Sequence, residues 1–315
     1  MTKPLFAITE AELEKQKKID KEFINSSLFV IPSNDGEALR SIQILTALKA
    51  PHLHISKQKW GATLDNELSK LPPDSLKQVK NIVIFEMPGK SCPETSKISS
   101  EESLRAQGFK LHIIDHHYYG WLDRYNNQAS IEQLCDKIGW QMGETDTAIA
   151  VNDRSYIPGL KALGLNKQEI LRVRIFDLEA QGNNRSYIDK QLKIARKHIA
   201  ILQPKKVNDL WILDGDEFKQ PYIMQSLAIE DPKGLIHGLE IKSHKIGFSG
   251  KPEVAEELRQ QDWREWEKTT GQLISYGGGD RKSSQFWGLK GATTNTKITP
   301  ELVTYVKTIV VKWFQ

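Results

Sequence analysis

The sequence predicts an α/β chain: a mostly parallel sheet with helices on both faces, followed by a smaller α/β C-terminal domain. Three observations lead there. Short apolar runs at Leu28-Phe29-Val30-Ile31, Asn81-Ile82-Val83-Ile84-Phe85 and Lys110 to Ile114 alternate with helix-like segments, the order that gives parallel strands joined by crossovers. Each run ends abruptly in polar residues: Asp35 with Glu37, Glu86, and Asp115-His116-His117. The length, 315 residues, exceeds the usual extent of one hydrophobic core, so two domains are expected.

Composition narrows the function classes. A hydrophobic fraction of 39% supplies packed cores, and a charged fraction of 27% is ordinary for a soluble chain. The net charge of +4 permits a phosphate-rich ligand without demanding one. Basic and aromatic residues do not interleave as a long nucleic-acid track requires. No apolar segment is long enough to span a bilayer, and the apolar stretch in residues 1–9 is too short for a signal peptide. Cys92 and Cys135 lack metal-site spacing and offer at most one disulfide, which fits a reducing compartment. A cytoplasmic location without membrane association is the expectation.

Taken in order, Thr9-Glu10-Ala11-Glu12 has the form of a capping box and opens a helix expected to run to about Phe23. The strand Leu28 to Ile31 leads into Ser33-Asn34-Asp35-Gly36-Glu37. From Glu37 onward Leu39, Ile42, Leu45 and Leu48 share one helical face. Either Asn34 or Asp35 caps this helix, and Asp35 and Glu37 sit near an N-terminus that favours negative charge. His52 to Ile55 is a short, weak strand. The strand at 81–85 delivers Glu86 at its carboxyl end, and Ser99 to Gln107 forms a helix before Gly108.

The strand Lys110 to Ile114 then places Asp115, His116 and His117 at its carboxyl end, where open α/β sheets bind ligands. Adjacent residues of an extended chain point to opposite sides, so one imidazole can hold a metal while the other faces substrate. The alternative is that the histidines cap the strand and hydrogen-bond to neighbours. Ser130 to Cys135 is helical and stops near Gly139. Thr145 to Val151 is a short helix leading to Asp153, and Pro158-Gly159 marks a turn or the next helix start. Leu165 to Ala180 is helical, and Asn183 to Leu202 forms a long basic helix that joins the domains. The expected division is therefore 1–180, a helical linker over 181–206, and 207–315.

In the second domain Leu210 to Leu213 is a strand and Ile236 to Phe248 a strand pair. A charged helix from Pro252 to about Lys268 carries Trp263 and Trp266, read as packing residues rather than a base-stacking platform. Then comes Gly277-Gly278-Gly279-Asp280-Arg281-Lys282. Read alone, it is a flexible turn, or a loop whose backbone N–H groups and basic side chains receive phosphate.

These residues resemble the DHH phosphoesterase superfamily, over nearly the whole first domain. Asp35-Gly36-Glu37-Ala38-Leu39-Arg40-Ser41 looks like its first motif, with Glu in place of the second Asp. Glu86 stands where the second motif has an Asp at a strand end, Asp115-His116-His117 is the naming motif, and Asp153 matches the fourth. The resemblance implies a two-metal site, usually manganese, that hydrolyses phosphoesters or phosphoanhydrides. Carried over, Glu86 bridges the metals while Glu37, His116 and Asp153 complete one shell and Asp35 serves the other ion. His117 contacts the scissile phosphate, and Asp115 orients the imidazoles. Carboxylates with imidazole suit Mn²⁺, or Mg²⁺, with one or two ions held.

Two departures stand out. The family commonly places a His four residues before the first Asp, and here that residue is Ile31. The glycine loop looks like the Gly-Gly-Gly-His loop of the substrate-binding domain that accompanies DHH domains, with Asp280 for His. Gly277, Gly278, Gly279, Arg281 and Lys282 are thus the expected substrate-binding residues across an inter-domain cleft. The expected function is a divalent-metal-dependent phosphoesterase acting on a small nucleotide, a short oligonucleotide or a related phosphorylated metabolite, possible as a homodimer. The competing expectation is a nucleotide-binding or regulatory protein that keeps the fold with impaired catalysis.

Overall fold

The structure, a computed structural model, describes residues 6–59, 61–89, 99–117, 122–202, 205–216, 220–280, 284–293 and 296–315. Its order is α1 (Glu10–Glu14), α2 (Lys21–Asn25), β1 (Ser27–Pro32), α3 (Gly36–Ala47), β2 (Leu53–Ser56), α4 (Pro73–Gln78), β3 (Asn81–Phe85), α5 (Ser100–Ala106), β4 (Lys110–Ile114), α6 (Ser130–Ile138), α7 (Glu144–Ala162), α8 (Lys167–Ala180) and α9 (Arg185–Leu202). Then come β5 (Lys205–Val207), β6 (Leu210–Asp214), α10 (Gln220–Glu230), β7 (His237–Ile241), β8 (Lys245–Gly250), α11 (Pro252–Arg259), α12 (Arg264–Thr270), β9 (Leu273–Asp280), β10 (Ser284–Gly291) and α13 (Pro300–Val311).

The chain forms two compact units, Met1–Asp153 with Arg172–Arg185, and Arg154–Leu171 with Ser186–Gln315. This partition differs from the expected 1–180, 181–206 and 207–315. Residues 154–171 and α9 belong with the second unit, and Lys205–Val207 is already a strand paired antiparallel with β6.

In the first unit the sheet has the order β2-β1-β3-β4 and is parallel throughout. Its alternating side chains explain why the strands read as unbroken apolar runs. Phe29, Ile31, Val83 and Phe85 face a core shared with Ile42, Leu45, Ile131 and Leu134 of α3 and α6. Leu28, Val30, Ile82 and Ile84 face the opposite side, with Leu64, Leu71 and Leu104. A parallel sheet covered on both faces has no polar alternation to display.

The first helix is shorter than expected. Thr9 and Glu12 do form a reciprocal capping box, yet α1 ends at Glu14 and Asp20 caps a separate α2 through the Phe23 N–H at 2.8 Å. The intervening chain runs over Gly139, and the Asp20 N–H donates to the Ile138 carbonyl at 3.0 Å. At Gly139, where φ is 73°, a Cβ would meet the Lys18 carbonyl, so glycine both ends α6 and admits this segment.

The second unit carries a six-stranded mixed sheet ordered β5-β6-β7-β8-β10-β9, with β6 and β7 parallel. Its core joins Phe248, Trp287 and Leu289 to Val254 and Leu258 of α11 and to Leu302, Val306 and Val310 of α13. The helix expected from Pro252 to Lys268 is two helices, because the chain turns at Gln260 to bury Trp263 against Trp287, ring centroids 5.1 Å apart. Trp266 lies 5.3 Å from Tyr305, so both tryptophans pack inside this unit.

The expected glycine loop is also different. Gly277, Gly278 and Gly279 are in β9, paired with Trp287, Phe286 and Gln285 of β10, so their backbone is extended rather than looped. Arg281, Lys282 and Cys92 lie outside the described residues. None of the described helices is long and apolar enough to cross a membrane.

Candidate metal centre

The chain leaves β1 through α3 toward β2 and returns to β3 on the other side of β1. Such a change of direction opens a crevice at the carboxyl ends of the adjoining strands. Residues 33–37 leave β1 there, Glu86 follows β3, and Asp115-His116-His117 follow β4.

Of the two capping residues left open by the sequence, Asp35 takes the position. Its Oδ1 accepts the Ala38 N–H at 2.9 Å. Glu37 is buried in the first turn of α3, and its Oε2 accepts the Ile131 N–H at 3.1 Å, spanning to the start of α6. Its other oxygen turns inward, with Oε1 3.4 Å from His116 Nε2. Glu86 Oε1 lies 3.3 Å from the same nitrogen and Asp153 Oδ2 2.8 Å from it.

Asp153 arrives from an unexpected setting. Rather than following a short helix, it lies within α7, which continues until Tyr156 breaks it with φ 53° and ψ −147°. The nearest sequence breaker is Pro158, too late to end the helix before Asp153.

The two imidazoles do not diverge as strand alternation predicts, because β4 ends at Ile114 and the rule no longer governs 115–117. Their ring centroids are 4.4 Å apart. His117 is turned back: its Nδ1 lies 3.1 Å from Asp115 Oδ1, and its backbone N–H donates to that same oxygen at 3.0 Å. Asp115 itself is buried, and its carbonyl accepts the Gln133 side-chain amide at 3.0 Å.

The electrostatics follow from burial of like charges. Burial, then the nearby Glu86 and Asp153 carboxylates, pushes the Asp35 carboxyl well above its usual range. Burial, then Asp153 and Glu86, does the same to Glu37. Burial also acts upward on Glu86, but the charges of His117 and His116 outweigh it and hold the group low. Burial acts downward on His116, and the adjoining Asp153, Glu37 and Glu86 reverse it, raising the imidazole well above its usual value. The same contest, with Glu86 and Asp115 prevailing over burial, leaves His117 pushed up to about 9.

These residues fit a divalent ion. Glu37 Oε1, Glu86 Oε1 and His116 Nε2 are buried and make no hydrogen bond, a costly arrangement for polar atoms that have no other use. The Glu37, His116 and Asp153 ligand atoms lie within 4.8 Å of one another, as do those of Glu86, His116 and His117. Donors on one octahedral ion sit about 3 Å apart, close to the 2.8–3.4 Å separations around His116 Nε2. Asp35 belongs to neither set. Ile31 is fully buried in β1 and contributes no donor.

Residues the sequence did not single out surround the cluster. Arg124 places Nη1 3.6 Å from Asp115 Oδ2, pairs with Glu101, and donates its backbone N–H to the His117 carbonyl at 3.1 Å. Glu101 in turn accepts the Gly89 N–H at 3.0 Å, just beyond Glu86. An isolated Arg after the His pair carries no motif, so only the fold reveals these contacts.

No family model matches this chain, and no curated protein matches it. Solved structures do. One is a DHH-domain protein described as belonging to a family of ribosomal proteins, at 15% identity and TM-score 0.48, covering 98% of this chain and 93% of the other. A second match is RecJ from Thermus thermophilus in complex with Mn²⁺, at 11% identity and TM-score 0.43, covering 98% of this chain and 56% of that one. The present chain thus spans little more than half the length of that RecJ. A third, an exonuclease RecJ bound to manganese, gives 12% identity, TM-score 0.37, and coverage of 98% and 94%.

Proposed function

We propose that the protein is a divalent-metal-dependent phosphoesterase of the DHH type, using Mn²⁺ or Mg²⁺ to hydrolyse a small nucleotide, a short oligonucleotide or a related phosphorylated metabolite. The observation that carries this reading is the convergence of buried, unbonded Glu37 Oε1, Glu86 Oε1 and His116 Nε2, with Asp153 completing the group. Glu37, Glu86, His116 and Asp153 are the proposed ligands. A bound divalent ion supplies neutralisation of phosphate charge and an acidified water as nucleophile.

The chain's own groups supply the rest. Asp115 holds His117 through Nδ1, and the role assigned to the ring is to contact a phosphate oxygen. Asp115, outside the proposed ligand set, accepts from His117 Nδ1 and favours the protonated ring, which offsets charge on the phosphate. Asp35, bound to its own helix, stands ready for a second ion, which without a histidine at Ile31 is held weakly. Gly277, Gly278, Gly279, Arg281 and Lys282 remain the proposed substrate-binding residues. A nucleotide-binding or regulatory protein with impaired catalysis is the second reading, and the fully buried Ile31 is the observation that favours it.

Metal analysis together with a phosphodiester assay in Mn²⁺ separates the readings. Turnover that Asp153→Ala abolishes is expected for the enzyme. Bound ion with no turnover on any phosphoester supports the second reading, and a chain that binds no divalent ion sinks the enzyme reading.

A further inference from the structure

The turn between Asp35 and Glu37 is held by a residue outside every motif. The Gly36 N–H at the start of α3 donates to Asp177 Oδ1 of α8 at 3.0 Å. The approach is so close that a Cβ on Gly36 would lie 3.3 Å from the Asp177 Cα, which gives a steric reason for glycine between the two acids. Asp177 Oδ2 accepts from Arg174 Nη1 at 2.8 Å and from the Gln181 side-chain amide at 3.0 Å. Arg174 Nη1 also donates to Asn152 Oδ1 at 3.0 Å. Asn152, Arg174 and Asp177 are all buried.

The result is one continuous chain of hydrogen bonds, Gly36 to Asp177 to Arg174 to Asn152. One end is the peptide joining Asp35 to the residue before Glu37. The other is the residue immediately before Asp153. Glu37 and Asp153 come from different helices, α3 and α7, and must reach the same few ångströms around His116 Nε2. A helix packed against both, with a carboxylate and a guanidinium at adjoining positions, ties their relative placement. Asp177 lies outside both groups of candidate ligands.

Resting on the metal reading above, we propose that Asp177, braced by Arg174, is a positioning residue. It sets the spacing of Glu37 and Asp153, and through that the affinity for a divalent ion, without touching the ion. Groups that orient ligands in this way are typically worth about 10–100-fold in metal affinity.

The test is calorimetric titration of Mn²⁺ into the full chain, with thermal melting of each metal-free variant. Asp177→Ala is expected to weaken Mn²⁺ binding by about 10–100-fold while the metal-free variant still melts cooperatively. Asp177→Asn keeps an oxygen for the Gly36 N–H but presents an amide NH2 where Arg174 and Gln181 donate, so it is expected to lose less than Asp177→Ala without full recovery. A merely structural role would lower the melting temperature and leave affinity alone. Wild-type affinity in Asp177→Ala, or equal losses in the Ala and Asn variants, overturns the proposal. If Asp177→Ala does not fold, Arg174→Met replaces it, since it removes the single nitrogen, Nη1, that joins Asp177 to Asn152; unchanged affinity there is equally fatal. Wild-type binding with an Asp153→Ala defect but no Asp177 effect rejects this proposal alone. Absence of Mn²⁺ binding in the wild type rejects the metal reading and this one with it.

Discussion

Glu86 adopts φ 50°, in the left-handed region that a side chain bearing a Cβ rarely occupies. Holding a non-glycine residue there costs about 1–3 kcal/mol, and such residues persist where surrounding contacts over-determine them. Here the turn aims a carboxylate from the end of β3 at His116, among other acids. Glu86→Gly removes both the backbone penalty and a buried charge. The metal-free variant is expected to keep a cooperative urea transition, with the relieved backbone offsetting part of the lost attraction to the two imidazoles, while losing Mn²⁺ binding by calorimetry. A large stability loss would mean that Glu86 is structural. Most of this cluster was readable from the chain, because acids and histidines at the ends of apolar runs are hard to explain as packing. The strain was not readable, since nothing in Phe85-Glu86-Met87 marks a positive φ. Nor was the shared side of the two imidazoles, which depends on where β4 stops.

At the scale of elements, two buried polar clusters fix parts of the chain that propensity leaves loose. Arg40 is fully buried in α3, with Nε 2.7 Å from Asp146 Oδ1 and Nη2 2.6 Å from Glu12 Oε1. Asp146 also accepts the Trp140 indole N–H at 3.0 Å, so α1, α3 and α7 meet on one guanidinium. Removing one partner of such a pair strands the other, which typically costs about 3–5 kcal/mol. Arg40→Met is therefore expected to lose about 3–5 kcal/mol in urea unfolding, even though its volume is nearly kept. Beyond β2, Glu67 accepts from Ser56 at 2.9 Å and Gln58 at 2.7 Å, with His54 and Lys70 also in contact. Burial pushes this carboxyl up, but those partners win and hold it at about 2, against 4.5 unperturbed. Because its folded value is the lower, its contribution is complete above pH 4.5 and disappears as pH falls toward 2. The stability gap between wild type and Glu67→Gln should therefore shrink as urea titrations move from about pH 6 to about pH 3. A gap constant across that range would contradict the assignment.

The element errors share one cause. Periodicity joined α11 with α12 as a single helix and the three glycines read as a loop, but the burial of Trp263 and pairing with β10 decided otherwise. Tertiary contacts of that kind lie far apart in sequence and leave no local trace.

Across the whole molecule, the proposed ligands Glu37, Glu86, His116 and Asp153 all belong to one compact unit. A saturating ion should therefore stabilise that unit selectively, by about 2.7 kcal/mol at roughly a hundred times the dissociation constant. Scanning calorimetry with and without Mn²⁺ should move the first unit's transition, leave the second unit's in place, and show no shift in Asp153→Ala. The parallel sheet was legible because its strands are buried on both faces and announce themselves as apolar runs. The partition was not, since Arg154–Leu171 and Lys167–Ala180 read alike as helical sequence whichever core receives them.

That partition has a consequence for how the protein is made. The first unit recruits Arg172–Arg185 only after Arg154–Leu171, destined for the other unit, has already been synthesised. A nascent chain therefore cannot complete its amino-terminal body as a contiguous piece, and a fragment cut after Asp153 lacks α8 with its Arg174 and Asp177. Ribosomal emergence of Arg185, rather than of Asp153, is the earliest point at which that body has all its parts.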